Sequence, residues 1–92
     1  MSNTLLPLGS SIGILGGGQL GRMIAMSCIE LGYKSFVYCP KGDNPAVEVS
    51  SQYIIGDWNN DLLLNKFISS VDAVTIEFEN IPIEVIQKVE KQ

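Results

Sequence analysis

The chain has 92 residues, the size of one small domain, and 46% of them are hydrophobic, which is enough for one core but not for two. Charged residues make up 17% of the chain, and the formal net charge is -4. This balance excludes an intrinsically disordered chain, which would combine low hydrophobicity with high net charge. It also argues against a nucleic-acid-binding protein, because the 6 basic residues are scattered and form no basic cluster. We therefore expect a soluble, mildly acidic globular domain.

Two cysteines and the absence of histidine limit the chemistry of the chain. Cys28 and Cys39 form no CxxC motif, and no histidine is available to complete a zinc site. We interpret both as reduced, partly buried small hydrophobes of a cytoplasmic protein. The first ten residues contain no basic segment and their apolar run breaks at Pro7, which is unlike a signal peptide. No stretch approaches the roughly 20 apolar residues that span a bilayer, so we expect no membrane anchor.

Strand and helix patterns alternate along the chain after a flexible leader over residues 1–10. Short apolar runs predict four strands, and apolar residues at helical spacing predict the helices between them. In chain order, the predicted elements are a strand over 11–15, a helix over 19–31, a strand over 35–39, one helical turn within 45–51, a strand over 52–55, a helix through 62–68 capped by Asn59 or Asn60, a strand over 72–76 and a helix from Pro82. Such alternation predicts right-handed βαβ units and a parallel sheet.

This pattern is typical of an α/β, Rossmann-like half with a four-stranded parallel sheet in the order 3-2-1-4 and helices on both faces. The first helix has a predicted buried face whose residues recur at helical spacing: Leu20, Ile24, Ser27 or Cys28, and Leu31. Gly32 follows as a suitable C-terminal stop. Further apolar residues widen the surface of this helix, and we expect them to pack against a neighbouring domain: Met23, Met26 and Ile29.

A glycine-rich turn follows the first predicted strand. The stretch Gly16-Gly17-Gly18-Gln19-Leu20-Gly21 fits the pattern G-x-G-x-x-G that opens a helix. In this pattern the first glycine makes a tight turn, the second lets an anionic group approach the backbone, and the third lets the helix pack closely on the strand. The helix N-terminus behind the turn offers N–H groups and partial positive charge. We therefore predict a phosphate-bearing ligand here, and the alternative is a turn that serves packing alone.

A dinucleotide such as NAD is the usual ligand of this pattern, and it requires an acidic residue at the end of the second strand. That region reads Tyr38-Cys39-Pro40, and the first carboxylate is Asp43, beyond the proline. The missing acid disfavours a dinucleotide. No Gly-Lys-Ser/Thr follows the loop, which excludes a P-loop.

Two carboxylates follow the fourth predicted strand. Alternation places Glu77 and Glu79 on one side of the chain if the backbone stays extended. In a 3-2-1-4 sheet the ligand crevice lies between the first and fourth strands, so these carboxylates and the glycine loop would flank the same crevice. They would accept hydrogen bonds from sugar hydroxyls or an amine, and the alternative is that they are solvated loop residues. Arg22 could reach a phosphate on the loop, although a surface role is the simpler interpretation.

The stretch ILGGGQLGRM, residues 14–23, is highly characteristic of the N5-carboxyaminoimidazole ribonucleotide synthetases, ATP-grasp enzymes of purine biosynthesis, and the chain resembles that family. Three further stretches are similar to the family's sequences: DNPA at 43–46, IIGDW at 54–58 and TIEFENIP at 75–82. The resemblance covers about residues 11–91. One departure is Cys39, where relatives often carry an aspartate before the proline.

The resemblance implies that residues 11–92 form the pre-ATP-grasp N-terminal domain of an enzyme that carboxylates 5-aminoimidazole ribonucleotide with bicarbonate and ATP. It implies substrate contacts from Gln19, from the backbone of Leu20 and from Glu77. Together with the glycine pattern and the second carboxylate, the predicted substrate-binding residues are Gly16, Gly17, Gly18, Gln19, Leu20, Gly21, Glu77 and Glu79. ATP and magnesium would bind to central and C-terminal domains outside this chain, and the full enzyme would be a cytoplasmic homodimer. We therefore expect no catalytic residue, no metal ligand and no synthetase activity in the 92-residue chain alone. The alternatives are an NAD-binding Rossmann module and an interaction domain that binds no small molecule.

Overall fold

The structure is a computed structural model that describes residues 6–76. Within this range the elements are β1 Ser11–Leu15, α1 Gln19–Glu30, β2 Lys34–Cys39, a 3₁₀ helix η1 Pro45–Val49, β3 Gln52–Ile55, α2 Asp61–Ser69 and β4 Ala73–Ile76. Each element predicted within this range is present, and β1 and β3 have the predicted bounds. The helix predicted from Pro82 lies outside the described residues.

The four described strands form one parallel sheet in the order β3-β2-β1-β4, which confirms the predicted topology. β1 is central, since Ile14 pairs with Val37 of β2 on one side and with Thr75 of β4 on the other. The strand order therefore reverses at β1. In open α/β sheets, ligands bind outside the carboxyl ends of the strands at such a reversal.

The two α-helices cover opposite faces of the sheet, as predicted. Successive residues of a strand point to opposite faces, so each face receives alternate residues of β1 and β2. One face buries strand residues with those of α2: Leu15, Phe36, Tyr38, Leu64, Phe67 and Ile68. The other buries strand residues with those of α1 and η1: Ile14, Val37, Cys39, Ala25 and Ala46. Each of these clusters fixes one layer of the fold against the sheet that carries the glycine loop.

The buried face of α1 agrees with the prediction at Cys28 and at the partly buried Ile24, and it differs at the two leucines. Its buried residues are Gly21, Ala25 and Cys28, whereas Leu20 and Leu31 are 45% and 65% exposed. The helix therefore packs on the sheet through small side chains, which bring its backbone close to β1 and β2 and turn the larger leucines outward. The further apolar residues of the helix are also exposed: Met23, Met26 and Ile29. Their packing against a neighbouring domain stays a prediction.

Both cysteines are buried, and neither forms a disulfide. Cys28 is 7% exposed and Cys39 is fully buried. Burial raises the pKa of the Cys28 thiol above its ordinary value of 9.0. At neutral pH this side chain is therefore a protonated thiol, and it acts as the small hydrophobe that the sequence predicts.

Candidate functional site

The glycine loop leaves the carboxyl end of β1 through a turn that requires glycine. The backbone φ angle of Gly16 is +120°, a conformation that residues with a β-carbon rarely adopt. Its N–H donates to the carbonyl of Tyr38 over 2.9 Å, which extends the contact between β1 and β2 by one residue. The role of the first glycine in the turn is confirmed. Because this N–H is already bonded within the protein, a ligand would use other groups of the loop.

The N-terminus of α1 is the open end of the loop. Gly18 is its N-cap residue, with φ −78° and ψ −164°, and among residues 6–76 no side chain caps the helix with a hydrogen bond. The first turn contains no acidic residue. Gly18 is half-buried, and Gln19 and Leu20 are exposed. The first N–H groups of a helix have no partner within it, and the helix dipole makes this end partly positive, so it suits an anion.

The segment before η1 packs against the middle of the glycine loop. A β-carbon on Gly17 would lie 2.5 Å from Oδ1 of Asn44, so this position also requires glycine. The Gly17 carbonyl accepts a hydrogen bond from the Ala46 N–H over 2.9 Å. Nδ2 of Asn44 donates to the carbonyls of Pro40 and Gly42, which holds the amide in place. Sequence reasoning missed this packing role, although the motif leaves the position of Gly17 unrestricted and the chain still has a glycine there.

Arg22 contacts η1. Its Nη1 lies 3.0 Å from Oε1 of Glu48 and donates to the carbonyl of Pro45 over 3.3 Å. The Arg22 side chain is 33% exposed and the Glu48 side chain is 75% exposed. The sequence interpretation as a surface residue is therefore incomplete, because the guanidinium joins α1 to a segment 23 residues further along the chain.

The carboxyl end of β2 has no acid for a ribose hydroxyl. Cys39, the last residue of β2, is fully buried in the core on the α1 side, and Pro40 follows it. Asp43 is exposed in the next loop. A dinucleotide site usually has its ribose-binding acid at this strand end, and a buried thiol cannot replace a carboxylate as acceptor. The structure thus agrees with the sequence argument against a dinucleotide.

β4 leads toward the same edge of the sheet. Ile76, the last described residue, pairs with Leu15, which directly precedes Gly16. Glu77 and Glu79 follow in the sequence but lie outside the described residues. Their apposition to the glycine loop stays a prediction. The structure does bring together the other predicted substrate-binding residues, all of which lie in the turn and the first helical turn of α1.

Within residues 6–76, no group of three or more histidine, cysteine, aspartate or glutamate side chains could hold a metal ion. Magnesium in nucleotide sites is bound by carboxylates together with phosphate oxygens. We assign the described residues no magnesium-binding role. In the same range, no helix is both long enough and apolar enough to cross a membrane.

Comparison with known proteins identifies the family. The family model described as "Ribonucleotide synthetase preATP-grasp domain" matches residues 10–92. The chain belongs to this preATP-grasp family. The resemblance drawn from the ILGGGQLGRM stretch is thereby confirmed at the level of the domain family.

The chain is also similar to curated proteins and to a solved structure. The chain is 46% identical over 91 residues to the bifunctional purine synthesis protein purC/E of Dictyostelium discoideum. It is 39% identical over 88 residues to the N5-carboxyaminoimidazole ribonucleotide synthase of Brucella melitensis. Its fold matches the crystal structure of N5-carboxyaminoimidazole synthetase from Staphylococcus aureus complexed with ADP, with a TM-score of 0.86 and 37% identity, over 95% of this chain and 23% of that one.

These relatives are much longer than the chain. The matched region covers 99% of this chain and 9% of the Dictyostelium protein, and 96% of this chain and 24% of the Brucella protein. The preATP-grasp match thus corresponds to a fraction of each relative.

Proposed function

We propose that this preATP-grasp chain is the substrate-binding N-terminal domain of an N5-carboxyaminoimidazole ribonucleotide synthase. Such a synthase is an ATP-dependent ligase of purine biosynthesis, and it carboxylates 5-aminoimidazole ribonucleotide with bicarbonate. The domain would comprise residues 11–92 behind a leader of residues 1–10. ATP and magnesium would bind to other domains of the enzyme, which would act as a cytoplasmic homodimer. The names of the relatives and the match of the family model support this proposal.

The observation that carries the proposal is the open N-terminus of α1 behind the glycine turn. A ribonucleotide presents one phosphate, whose oxygens accept hydrogen bonds from backbone N–H groups at a helix start. Gly18 has no β-carbon and is half-buried, and Gln19 and Leu20 are exposed beside it. We assign the phosphate contact to the backbone N–H groups of Gln19 and Leu20, beside the N-cap glycine.

The buried glycines of the loop have a different role in this proposal. Gly16, Gly17 and Gly21 are buried, and their backbone or packing contacts lie within the protein. Gly16 turns the chain, Gly17 accommodates Asn44, and Gly21 lies on the face of α1 that packs on the sheet. These glycines shape the loop that presents the start of α1 to the phosphate.

Glu77 and Glu79 complete the proposed site on its second side. The parallel register of β1 and β4 supports their place near the loop, since the pairing of Leu15 with Ile76 aligns the ends of both strands. In the proposal, their carboxylates accept hydrogen bonds from the ribose hydroxyls and from the exocyclic amine of the substrate. The domain therefore binds and orients the ribonucleotide with its amine positioned for carboxylation.

A ligand titration tests this function. An isotope-labelled sample of the 92-residue chain is titrated with 5-aminoimidazole ribonucleotide, with the riboside that lacks the phosphate, and with NAD, and backbone amides are followed by NMR. We expect shifts at the amides of the loop and the helix start (Gly17, Gly18, Gln19, Leu20 and Gly21) with the ribonucleotide, weaker shifts with the riboside and none with NAD. Detection must extend to millimolar affinity, because a site that spans several domains loses contacts when one domain is studied alone.

Two outcomes would contradict the proposal. Shifts with NAD alone would indicate a dinucleotide module, and no shift with any of the three ligands would show that the chain does not bind substrate by itself. A parallel assay measures ATP-dependent carboxylation by the purified chain. We expect none, and detectable product would show that the 92 residues contain catalytic machinery that we do not assign to them.

A further inference from the structure

We propose that Arg22 is a positioning residue that holds the glycine loop in its ligand-binding shape by fastening η1 against it. The proposal rests on the proposed function to the extent that this loop is the phosphate site. Arg22 acts through one peptide group, between Pro45 and Ala46, and its guanidinium does not itself contact the ligand in this proposal.

Arg22 places a cation in the first turn of α1, where the helix dipole disfavours it. It is the fourth residue of the helix, and its N–H donates to the Gly18 carbonyl over 2.9 Å, which is the first hydrogen bond of the helix ladder. The contacts with Glu48 and with the carbonyl of Pro45 offset the cost of a cation at this end of the helix, because they give the guanidinium an anion and a backbone acceptor.

The contacts of η1 connect Arg22 to the glycine loop through a single rigid unit. The Pro45 carbonyl and the Ala46 N–H belong to the same planar, trans peptide group, so they point in opposite directions. Nη1 of Arg22 donates to the carbonyl oxygen over 3.3 Å, and the N–H donates to the Gly17 carbonyl over 2.9 Å. A tilt of this peptide would lengthen both hydrogen bonds together. The orientation of the peptide that Arg22 fixes therefore determines where the Gly17 carbonyl is held.

The neighbouring side chains restrict the position of the peptide group between Pro45 and Ala46. The Ala46 side chain is fully buried in the core on the α1 side of the sheet. Asn44, one residue before Pro45, lies against Gly17 so closely that a β-carbon there would be 2.8 Å from the Asn44 Cβ. A shift of η1 would therefore also change the packing on the middle glycine of the loop, which directly precedes Gly18.

The hydrogen bond to Pro45 matters more in this proposal than the ion pair with Glu48. The Glu48 side chain is 75% exposed, and exposed ion pairs contribute little. The hydrogen bond to the Pro45 carbonyl is partly buried and connects directly to the loop. We therefore expect Glu48→Gln to have a much smaller effect than the loss of the guanidinium.

Amide hydrogen exchange of the ligand-free chain tests the proposal. Four variants are compared: Arg22→Met, Arg22→Lys, Glu48→Gln and, as the matched control that removes an exposed cation from α2, Lys66→Met. Exchange of the Ala46 amide is divided by exchange of the Leu64 amide, which donates to the Asn60 carbonyl in α2, so that a general loss of stability cancels. We expect the ratio to rise about fivefold in Arg22→Met, which is the scale of one lost hydrogen bond from a charged donor at a half-exposed position.

The other variants show which contact of Arg22 causes the change in the exchange ratio. Arg22→Lys keeps the charge and one donor group and should give an intermediate ratio. Glu48→Gln and Lys66→Met should stay within about twofold of the wild type. An unchanged ratio in Arg22→Met overturns the proposal, even if its affinity for the ribonucleotide falls, because Arg22 would then act on the ligand directly. If the wild type binds no ribonucleotide, the proposed function fails, while the exchange ratios still decide whether Arg22 fixes the loop.

Discussion

The two α-helices of the described fold begin in opposite ways. Each follows a strand of the same parallel sheet, α1 after β1 and α2 after β3. At α2, Asn60 is the N-cap residue, and its side-chain oxygen accepts a hydrogen bond from the Leu63 N–H over 3.1 Å. Asp61 adds a negative charge to the first turn. At α1 the N-cap is Gly18, with no capping side chain and no acid in the first turn.

This difference shows that the open end of α1 does not follow from the fold alone. α2 shows that a βα unit of this sheet can close its helix start with local side chains. The uncapped start is the one behind the central strand β1, where the strand order reverses and ligands bind in such sheets. A glycine at the N-cap forgoes only a few tenths of a kcal/mol relative to a capping residue. The chain thus has no N-cap side chain that would compete with a ligand anion for the helix donors at this place.

Replacement of the turn glycine should have the largest effect on this arrangement. Gly16→Ala places a β-carbon at a φ of +120°, and we expect a loss of about 1–3 kcal/mol in the free energy of unfolding. Ribonucleotide binding should weaken as well, because the start of α1 would shift. Urea unfolding measures the first effect and NMR titration the second.

Gly9→Ala is the matched control for this prediction. Gly9 also has a positive φ, +89°, and an added β-carbon would meet no heavy atom within 4 Å. It should therefore cost comparable stability through backbone strain alone, with binding unchanged. Wild-type affinity in Gly16→Ala would show that the turn does not set the geometry of the binding site.

Closing the open helix start should have the next largest effect. Gly18→Asn gives α1 the capping residue that α2 already has, and the extended backbone of Gly18 is compatible with an N-cap side chain. We expect ribonucleotide affinity to fall by about tenfold, because the new side chain takes a donor from the phosphate, while stability stays equal or rises slightly. Gly18→Ala, which adds the β-carbon without an acceptor, should lose less affinity. Equal affinity of Gly18→Asn and the wild type would exclude the start of α1 as the phosphate site.

Opening the closed helix start is the reciprocal test. Asn60→Ala removes the acceptor for the Leu63 N–H and should lower the free energy of unfolding by about 1 kcal/mol. It should create no new amide shifts at α2 on addition of the ribonucleotide, because that helix lacks the glycine turn. New shifts at Leu63 would show that any uncapped helix of this fold binds the ligand, and the distinction between the two ends would fail.

Local signals determined which parts of this structure could be predicted. β1 and β3 were predictable to the residue because each is a short apolar run bounded by polar residues or glycine. The strand order followed from the Rossmann-like alternation of strands and helices, for which 3-2-1-4 is a common order. The turn at Gly16 followed from the glycine pattern, since the physical requirement for a positive φ leaves a direct trace in the sequence.

Features that depend on contacts between distant segments left weaker traces. The predicted face of α1 was right at Cys28 and wrong at Leu20 and Leu31, because hydrophobicity patterns emphasise large side chains, while the helix packs through Gly21, Ala25 and Cys28. The partner of Arg22 could not be predicted, because the Pro45 carbonyl is a backbone group that every residue carries. The contact between Gly17 and the Asn44 side chain required the structure, because the two residues are brought together only by the fold.

The smallest predicted effect concerns the charge at the closed end of α2. The buried hydroxyl of Tyr38 donates to the Asp57 carbonyl over 2.6 Å, in the loop that leads into α2. Burial raises the pKa of the Tyr38 phenol above its ordinary value of 10.0. Electrostatic repulsion from Asp57, Asp61 and Cys39 raises it further. Since the folded state favours the protonated phenol, this stabilisation is complete below about pH 10 and is lost as the pH rises through the folded-state pKa.

Urea unfolding from about pH 7 to about pH 11 measures this loss. Tyr38→Phe should be less stable at neutral pH, because it lacks the hydrogen bond, but its stability should decline less steeply above about pH 10. The Cys28 thiol, whose pKa is also raised, is present in both proteins, so its contribution cancels in the comparison. Tyr53→Phe, which alters an exposed ring on β3, should keep the wild-type decline. Parallel pH profiles of Tyr38→Phe and the wild type would show that folding does not favour the protonated phenol, and the raised pKa of Tyr38 at the start of α2 would then be wrong.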